Sequence, residues 1–274
     1  MLRRQIELPP FIDPDMFKLY RELRQGEFVI VFIDTAGEGS DYNAGQFLAK
    51  KALDIPMVMH YKGSIVDVTP QIKVVLEWIA DITGVPPCVA YETNNGGGYE
   101  LERLSRLNRD QKYIIYRQYK LDPQGNLIRT DKLGWNTDTS TRPAMLKGVE
   151  ELVNNRLVTI YDHQTITEMF SFVKHKTPSG WKAEAEAGTY DDMVMSLSGV
   201  WILYQTEEAT PPMNQLLRML PKDDVPGYAK SFGVGTGNTT VQADSSNPFA
   251  RKVNPLYDQY GEEDNPFDNH GRLR

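Results

Sequence analysis

The chain has 274 residues, 40% of them hydrophobic and 24% charged, with a single cysteine and a formal net charge of −7. That length and apolar content suffice for a sizeable core; the lone Cys88 excludes an intrachain disulfide framework and fits a reducing compartment. No apolar run approaches the roughly 18 residues of a membrane span, the first residues carry no signal-peptide pattern, and the acidic total argues weakly against nucleic acid while leaving room for a local basic face.

Residues 1–26 mix charges with Pro9, Pro10 and Pro14 and read as a lead-in, with Asp15 capping a short helix to about Arg24. Residues 28–33 are a continuous aromatic and β-branched run, the pattern of a strand buried on both faces. The run delivers Asp34 to a turn containing Gly37, Gly39, Ser40 and Asp41. Residues 44–52 and 55–62 read as two more strands, completing a three-strand meander. Thr69-Pro70 predicts a helix start with proline first; Ile72, Val75, Leu76, Ile79 and Ile82 follow at helical spacing, and Gly84 stops the helix. Residues 88–92 form a short apolar strand that again ends in an acid, Glu92. A TNNGGG turn and a helix over about 99–108 follow. Residues 113–121 and 126–131 resemble a hairpin around Pro123-Gln124-Gly125. A helix over 139–155, a strand over 157–161 and a helix over 164–172 come next. A second hairpin flanks Thr177-Pro178-Ser179-Gly180, and Gly188-Thr189-Tyr190 opens a long helix. Residues 221–274 are too poor in aliphatics to offset their ordering entropy and read as a tail, in which Phe249, Tyr257, Tyr260 and Phe267 are candidate anchors for a partner. The expected folded body is 27–220.

Two acids end predicted strands, Asp34 and Glu92, and a pair, Asp191 and Asp192, occupies the first turn of the last long helix. Each has an ordinary reading: Asp34 as a turn cap, Asp191 and Asp192 as acids favoured by the helix dipole. The combination says more. A charge at the end of a buried strand is costly unless paired or bound to metal. The order strand, strand, strand, helix, strand, helix sets the first and fourth strands side by side at the sheet centre, so their acids converge and a later helix brings the third. Hard oxygen ligands from separate elements suit Mg²⁺ or Mn²⁺. Two such ions can stabilise both the attacking and the leaving oxygen of a phosphodiester displacement.

Four stretches, FIDTAGEGSDYNA, VAYETNNGGGYELERL, KLGWNTDTSTRPAMLKGVEELV and GTYDDMVMSLSGV, resemble the nuclease domain of tailed-bacteriophage large terminases, of the ribonuclease H-like (RuvC-like) superfamily. They run in that family's order through residues 28–204. The resemblance implies an α/β ribonuclease H-like fold: a central mixed sheet, made of a three-strand meander plus parallel strands, flanked by helices and carrying an added β-hairpin. It implies an endonuclease that cuts concatemeric viral DNA during genome packaging with two Mg²⁺ or Mn²⁺ ions. Carried across, Asp34 is the first metal ligand, Glu92 the second, and Asp191 or Asp192 the third, with Asp41 a further acid. Tyr190 stands where many relatives have His. The implied partners are double-stranded DNA, the terminase ATPase motor domain, the small terminase and the portal, with no membrane. The implied place is the host cytoplasm rather than the mature virion. No Walker A loop is present, so the motor is expected elsewhere, in a longer protein or in a separate chain.

The basic residues read two ways. Arg103, Arg106, Arg109 and Lys112 give the second helix and its exit either a solvated face or a DNA contact. Lys132, Arg142 and Lys147 flank the GWNTDTSTRP stretch, and under the resemblance Arg142 contacts phosphate. The second hairpin, with Lys174, Lys176, Trp181 and Lys182, is either a DNA-contacting wing or a solvated hairpin anchored by one Trp. His60, His163 and His175 lack the spacing of a zinc site. Two rival functions follow: a junction-resolvase or transposase-like nuclease on the same fold, and a non-catalytic module that binds DNA or the portal.

Overall fold

The computed structural model describes residues 3–36, 41–121, 127–139, 141–177 and 180–206. The expected tail, 221–274, lies outside them. The strands are β1 (Phe17–Leu19), β2 (Val29–Asp34), β3 (Asn43–Ala49), β4 (Asp54–Tyr61), β5 (Cys88–Tyr91), β6 (Ile114–Ile115), β7 (Arg117–Leu121), β8 (Leu127–Leu133), β9 (Thr159–Ile160), β10 (Phe172–Thr177) and β11 (Gly180–Ala185). The helices are α1 (Ile65–Thr83), α2 (Gly97–Leu107), α3 (Thr141–Asn154), α4 (His163–Ser171) and α5 (Asp192–Tyr204).

A seven-stranded sheet runs in the order β1-β4-β3-β2-β5-β6, with β9 sharing the outer edge of β4. β2, β3 and β4 are the antiparallel meander, and β2 pairs parallel with β5. The expected mixed sheet is therefore present, and β2 is at its centre. Its alternation feeds two cores: Val29, Val31 and Ile33 pack with α1 and α2, while Ile30 and Phe32 pack with α3 and α5. Both sets are at most 1% exposed, which is why the run carries no polar residue before Asp34. α5 lies across β2 and β3. Gly199 permits this approach, since a Cβ there would meet the Phe32 ring at 2.3 Å.

Three expectations need correction. The segment expected as a short lead-in helix forms turns and the edge strand β1, pairing Phe17 with Met59 and Leu19 with Met57. Ile12, Met16, Phe17, Leu19 and Leu23 are buried in the core. Arg21 is buried with them, its guanidinium bonded to both Asp54 (2.6 and 2.5 Å) and Glu27 (2.9 and 2.7 Å). Burial of that apolar set outweighs the helix signal of one capping Asp. Second, α1 begins before Thr69-Pro70. Ser64 caps it, Oγ accepting from the Val66 N–H at 3.2 Å, so Pro70 sits inside the helix. The Val66 carbonyl, which Pro70 cannot serve, accepts from Arg103 Nη1 at 3.3 Å instead. Third, the first arm of the expected 113–131 hairpin is divided. β6 joins the main sheet beside β5, and only β7 turns away to pair with β8. The second hairpin is present as β10 with β11, paired with Thr177 opposite Gly180. Among the described residues no helix is long and apolar enough to cross a membrane.

Candidate metal centre

The site is assembled where β2 and β5 end and α5 begins. Because β2 and β5 are parallel, with Ile33 opposite Tyr91, the residue after each pair is an acid. Glu92 continues the pairing by donating its N–H to the Ile33 carbonyl at 2.8 Å, which places it beside Asp34. β3 starts at the same end, Ala44 opposite Asp34, and brings in Asp41. Asp191 is the N-cap of α5 and Asp192 its first residue. Asp34, Asp41, Glu92, Asp191 and Asp192 line one cavity of about 130 Å³, together with Thr35, Ala36, Asn95, Arg142 and Met195. The acids of separate elements do converge.

The loop after β5 fixes the rim. Thr35 Oγ1 donates to the Asn94 carbonyl at 3.0 Å, and Asn95 Nδ2 donates to the Thr35 carbonyl at 3.1 Å. Asn94 Nδ2 donates to Glu92 Oε1 at 3.1 Å. Asn95 has a positive φ of 52° and Gly96 of 86°, closing the turn tightly. Gly97 packs so near that a Cβ would lie 2.0 Å from the Glu92 carbonyl oxygen. This glycine thus serves the fold of the rim itself.

Crowding sets the electrostatics. Burial, then a hydrogen bond shared with Glu92, then the charges of Glu92, Asp192 and Asp191 hold the Asp34 carboxyl well above the usual range. Asp192 is pushed up to about 7, by burial first and then by Glu168 and Asp191, with the Tyr42 N–H opposing. Asp192 Oδ2 is buried with no hydrogen-bond partner among the described residues. Asp191 accepts from Arg142 Nη2 at 3.0 Å, a half-buried pair. As the side chains stand, no three His, Cys, Asp or Glu among the described residues are drawn together tightly enough to hold an ion. The donor set nevertheless fits a divalent cation. It is hard oxygen throughout, it includes an orphaned carboxylate oxygen, and burial with neighbouring charge raises Asp34 and Asp192, a penalty that a cation would relieve.

The sequence reading missed one acid beneath this site. Glu168, on α4, is 2% exposed. Its Oε2 accepts from the Met193 N–H at 2.7 Å and its Oε1 from Gln164 Nε2 at 2.8 Å. An aspartate at an N-cap normally accepts from an N–H of the first turn, yet Asp191 makes no such bond. Glu168 takes that duty and leaves the Asp191 carboxylate facing the cavity.

Of the expected basic residues, only Arg142 lines the cavity. Arg103 and Arg106 are paired with Glu100 and Glu102 on α2, each at 3.0 Å. Lys147 is exposed on α3. Lys174, Lys176 and Lys182 fall on the β10–β11 hairpin, where only the backbone is described.

No protein-family model and no curated protein matches the sequence. Solved structures do match. The large terminase nuclease from thermophilic phage G20c with bound magnesium aligns at a TM-score of 0.53 and 15% identity, over 74% of this chain and 92% of that one. The same nuclease with bound cobalt gives the same figures. The Thermus phage P74-26 large terminase nuclease domain aligns at 0.53 and 15%, over 76% of this chain and 92% of its own. This chain has the large-terminase nuclease fold. In that fold the meander, the parallel β2–β5 pair and the late helix α5 are what bring the acids to one end of the sheet.

Proposed function

We propose that the chain is a metal-dependent DNA endonuclease that cuts concatemeric viral DNA during genome packaging. One observation carries this: five carboxylates from three parts of the chain line one cavity at the end of the central strands, within a large-terminase nuclease fold. Relatives of that fold with bound magnesium and with bound cobalt support a divalent ion. When bound, two Mg²⁺ or Mn²⁺ ions supply Lewis acidity and a deprotonated water for in-line attack on a phosphodiester. Asp34 and Glu92 would hold one ion, and Asp34 with Asp191 and Asp192 the other, with Asp41 assisting. Arg142 orients Asp191 and presents a guanidinium at the cavity, suited to a phosphate oxygen. Cleavage should leave a 5′-phosphate and a 3′-hydroxyl. The proposed partners are double-stranded DNA, an ATPase motor domain, the small terminase and the portal. The proposed location is the host cytoplasm, and residues 221–274 are taken as a tail outside the nuclease body.

The test is nicking of supercoiled plasmid with Mn²⁺, with Mg²⁺ and with chelator, beside Asp34→Ala and Glu92→Ala. The expected result is cleavage that chelator abolishes and either substitution lowers at least about a hundredfold, because bound ions supply several kcal/mol to the transition state. Full cleavage by Asp34→Ala would overturn the assignment.

A further inference from the structure

Beside the carboxylates lies a ring cluster that the cleavage chemistry leaves unused. Tyr42 directly follows Asp41, and Tyr190 directly precedes Asp191. The Tyr42 N–H donates to the Asp192 carboxylate, so the cluster is tied to the cavity wall. The Tyr42 ring stacks on His60 with centroids 4.1 Å apart and planes 14° apart. Tyr190 meets Tyr42 edge-on at 5.1 Å and 85°. Lys62 Nζ lies 5.5 Å from the Tyr42 ring centroid. These residues come from the start of β3, the end of β4 and the approach to α5, so the grouping is built by the fold and not by one segment. Lys18, on the neighbouring β1, places a second positive charge near His60.

Two features exceed what packing needs. Tyr190 stays 37% exposed at the lip of a charged cavity. The second is a cation: the Lys62 ammonium lies by the Tyr42 ring, and Tyr42 is tied to a cavity whose carboxylates would repel a polyanion. Aromatic faces take up bases of any sequence, and ammonium groups take up phosphates without reading sequence. We infer that Tyr42, Tyr190 and Lys62 form a strand-holding subsite for DNA, in which an unstacked nucleotide lies on the Tyr190 ring, its phosphate meets Lys62, and the adjoining phosphodiester is set over the carboxylates. The inference rests on the nuclease reading and adds to it the form of the substrate: a strand locally freed from its partner.

The test is fluorescence anisotropy of a labelled single strand and of its duplex with the full chain, with Ca²⁺ in place of Mg²⁺ to keep the DNA intact. Mn²⁺ binding without DNA is followed by calorimetry. The single strand should bind more tightly than the blunt duplex. Tyr190→Ala should weaken single-strand binding about five- to a hundredfold, the range for losing one stacked base, and Tyr190→Phe should restore it. Lys62→Gln should lower the salt slope by about one phosphate contact. Mn²⁺ binding should be unchanged in all three. Single-strand binding by Tyr190→Ala and Lys62→Gln equal to wild type would overturn the subsite and leave the nuclease reading standing. A wild-type chain that binds neither Mn²⁺ nor DNA would overturn both.

Discussion

Glu168 shows how one buried carboxylate can free another. By accepting the Met193 N–H it satisfies the start of α5, and Asp191 is left to face the cavity and Arg142. Glu168→Ala strands that N–H, and we expect a stability loss of about 1–3 kcal/mol with Mn²⁺ affinity down about ten- to a hundredfold. Glu168→Gln keeps an acceptor and should recover most of both; thermal melts and Mn²⁺ titration check this. Asp192 gives a pH signature. Its folded carboxyl holds a proton to about 7, whereas an unfolded aspartate releases it near about 3.9. A raised folded value stabilises the fold below the unfolded value and is lost as pH climbs through the folded one. The metal-free melting temperature should therefore fall between about pH 4 and about pH 7, and Asp192→Asn should flatten the fall. Added Mn²⁺ should stabilise more at the upper end, because there it displaces fewer protons. A metal-free profile that rises over this window would contradict the assignment.

At the scale of elements, what was legible is what leaves a run in the sequence. Residues 28–33 and 88–91 are unbroken apolar stretches, so the central strands and the acids that close them stand out. β1 does not: it is three residues inside a charge-rich segment, and its strand character comes from pairing with β4, which no local pattern announces. β6 was hidden for the same reason, being two residues long and defined by β5. Glu168 was illegible because α4 buries Thr165 and Glu168 rather than an apolar stripe. Pro70 misled because its missing N–H is compensated from another helix, by Arg103. The edge strand yields a prediction that separates it from a linker. Phe17→Ala should cost about 3–5 kcal/mol, the range for a buried Phe, visible as a lower denaturant midpoint with unchanged slope. An unchanged midpoint would show that residues 1–26 are dispensable after all.

For the molecule as a whole, the charge layout matters more than the total. The −7 net charge coexists with carboxylates gathered at one end of the sheet and with one cation, Arg142, among them. If the proposed function holds, a cavity of this charge would repel DNA until cations filled it, so DNA affinity should depend on divalent ion well beyond simple screening. The Arg142–Asp191 pair makes that dependence directional. One carboxylate cannot serve a guanidinium and a cation in full at the same time, so in the proposed nuclease the two would compete for Asp191. Removing the competitor should move two affinities in opposite senses: Arg142→Ala is expected to bind Mn²⁺ more tightly and DNA more weakly, and parallel titrations would show both. On that reading the pair would act as an interlock. Arrival of the ion would then hand the arginine over to an incoming phosphate, so that the proposed nuclease would load ion first and nucleic acid second, across a single 3.0 Å contact.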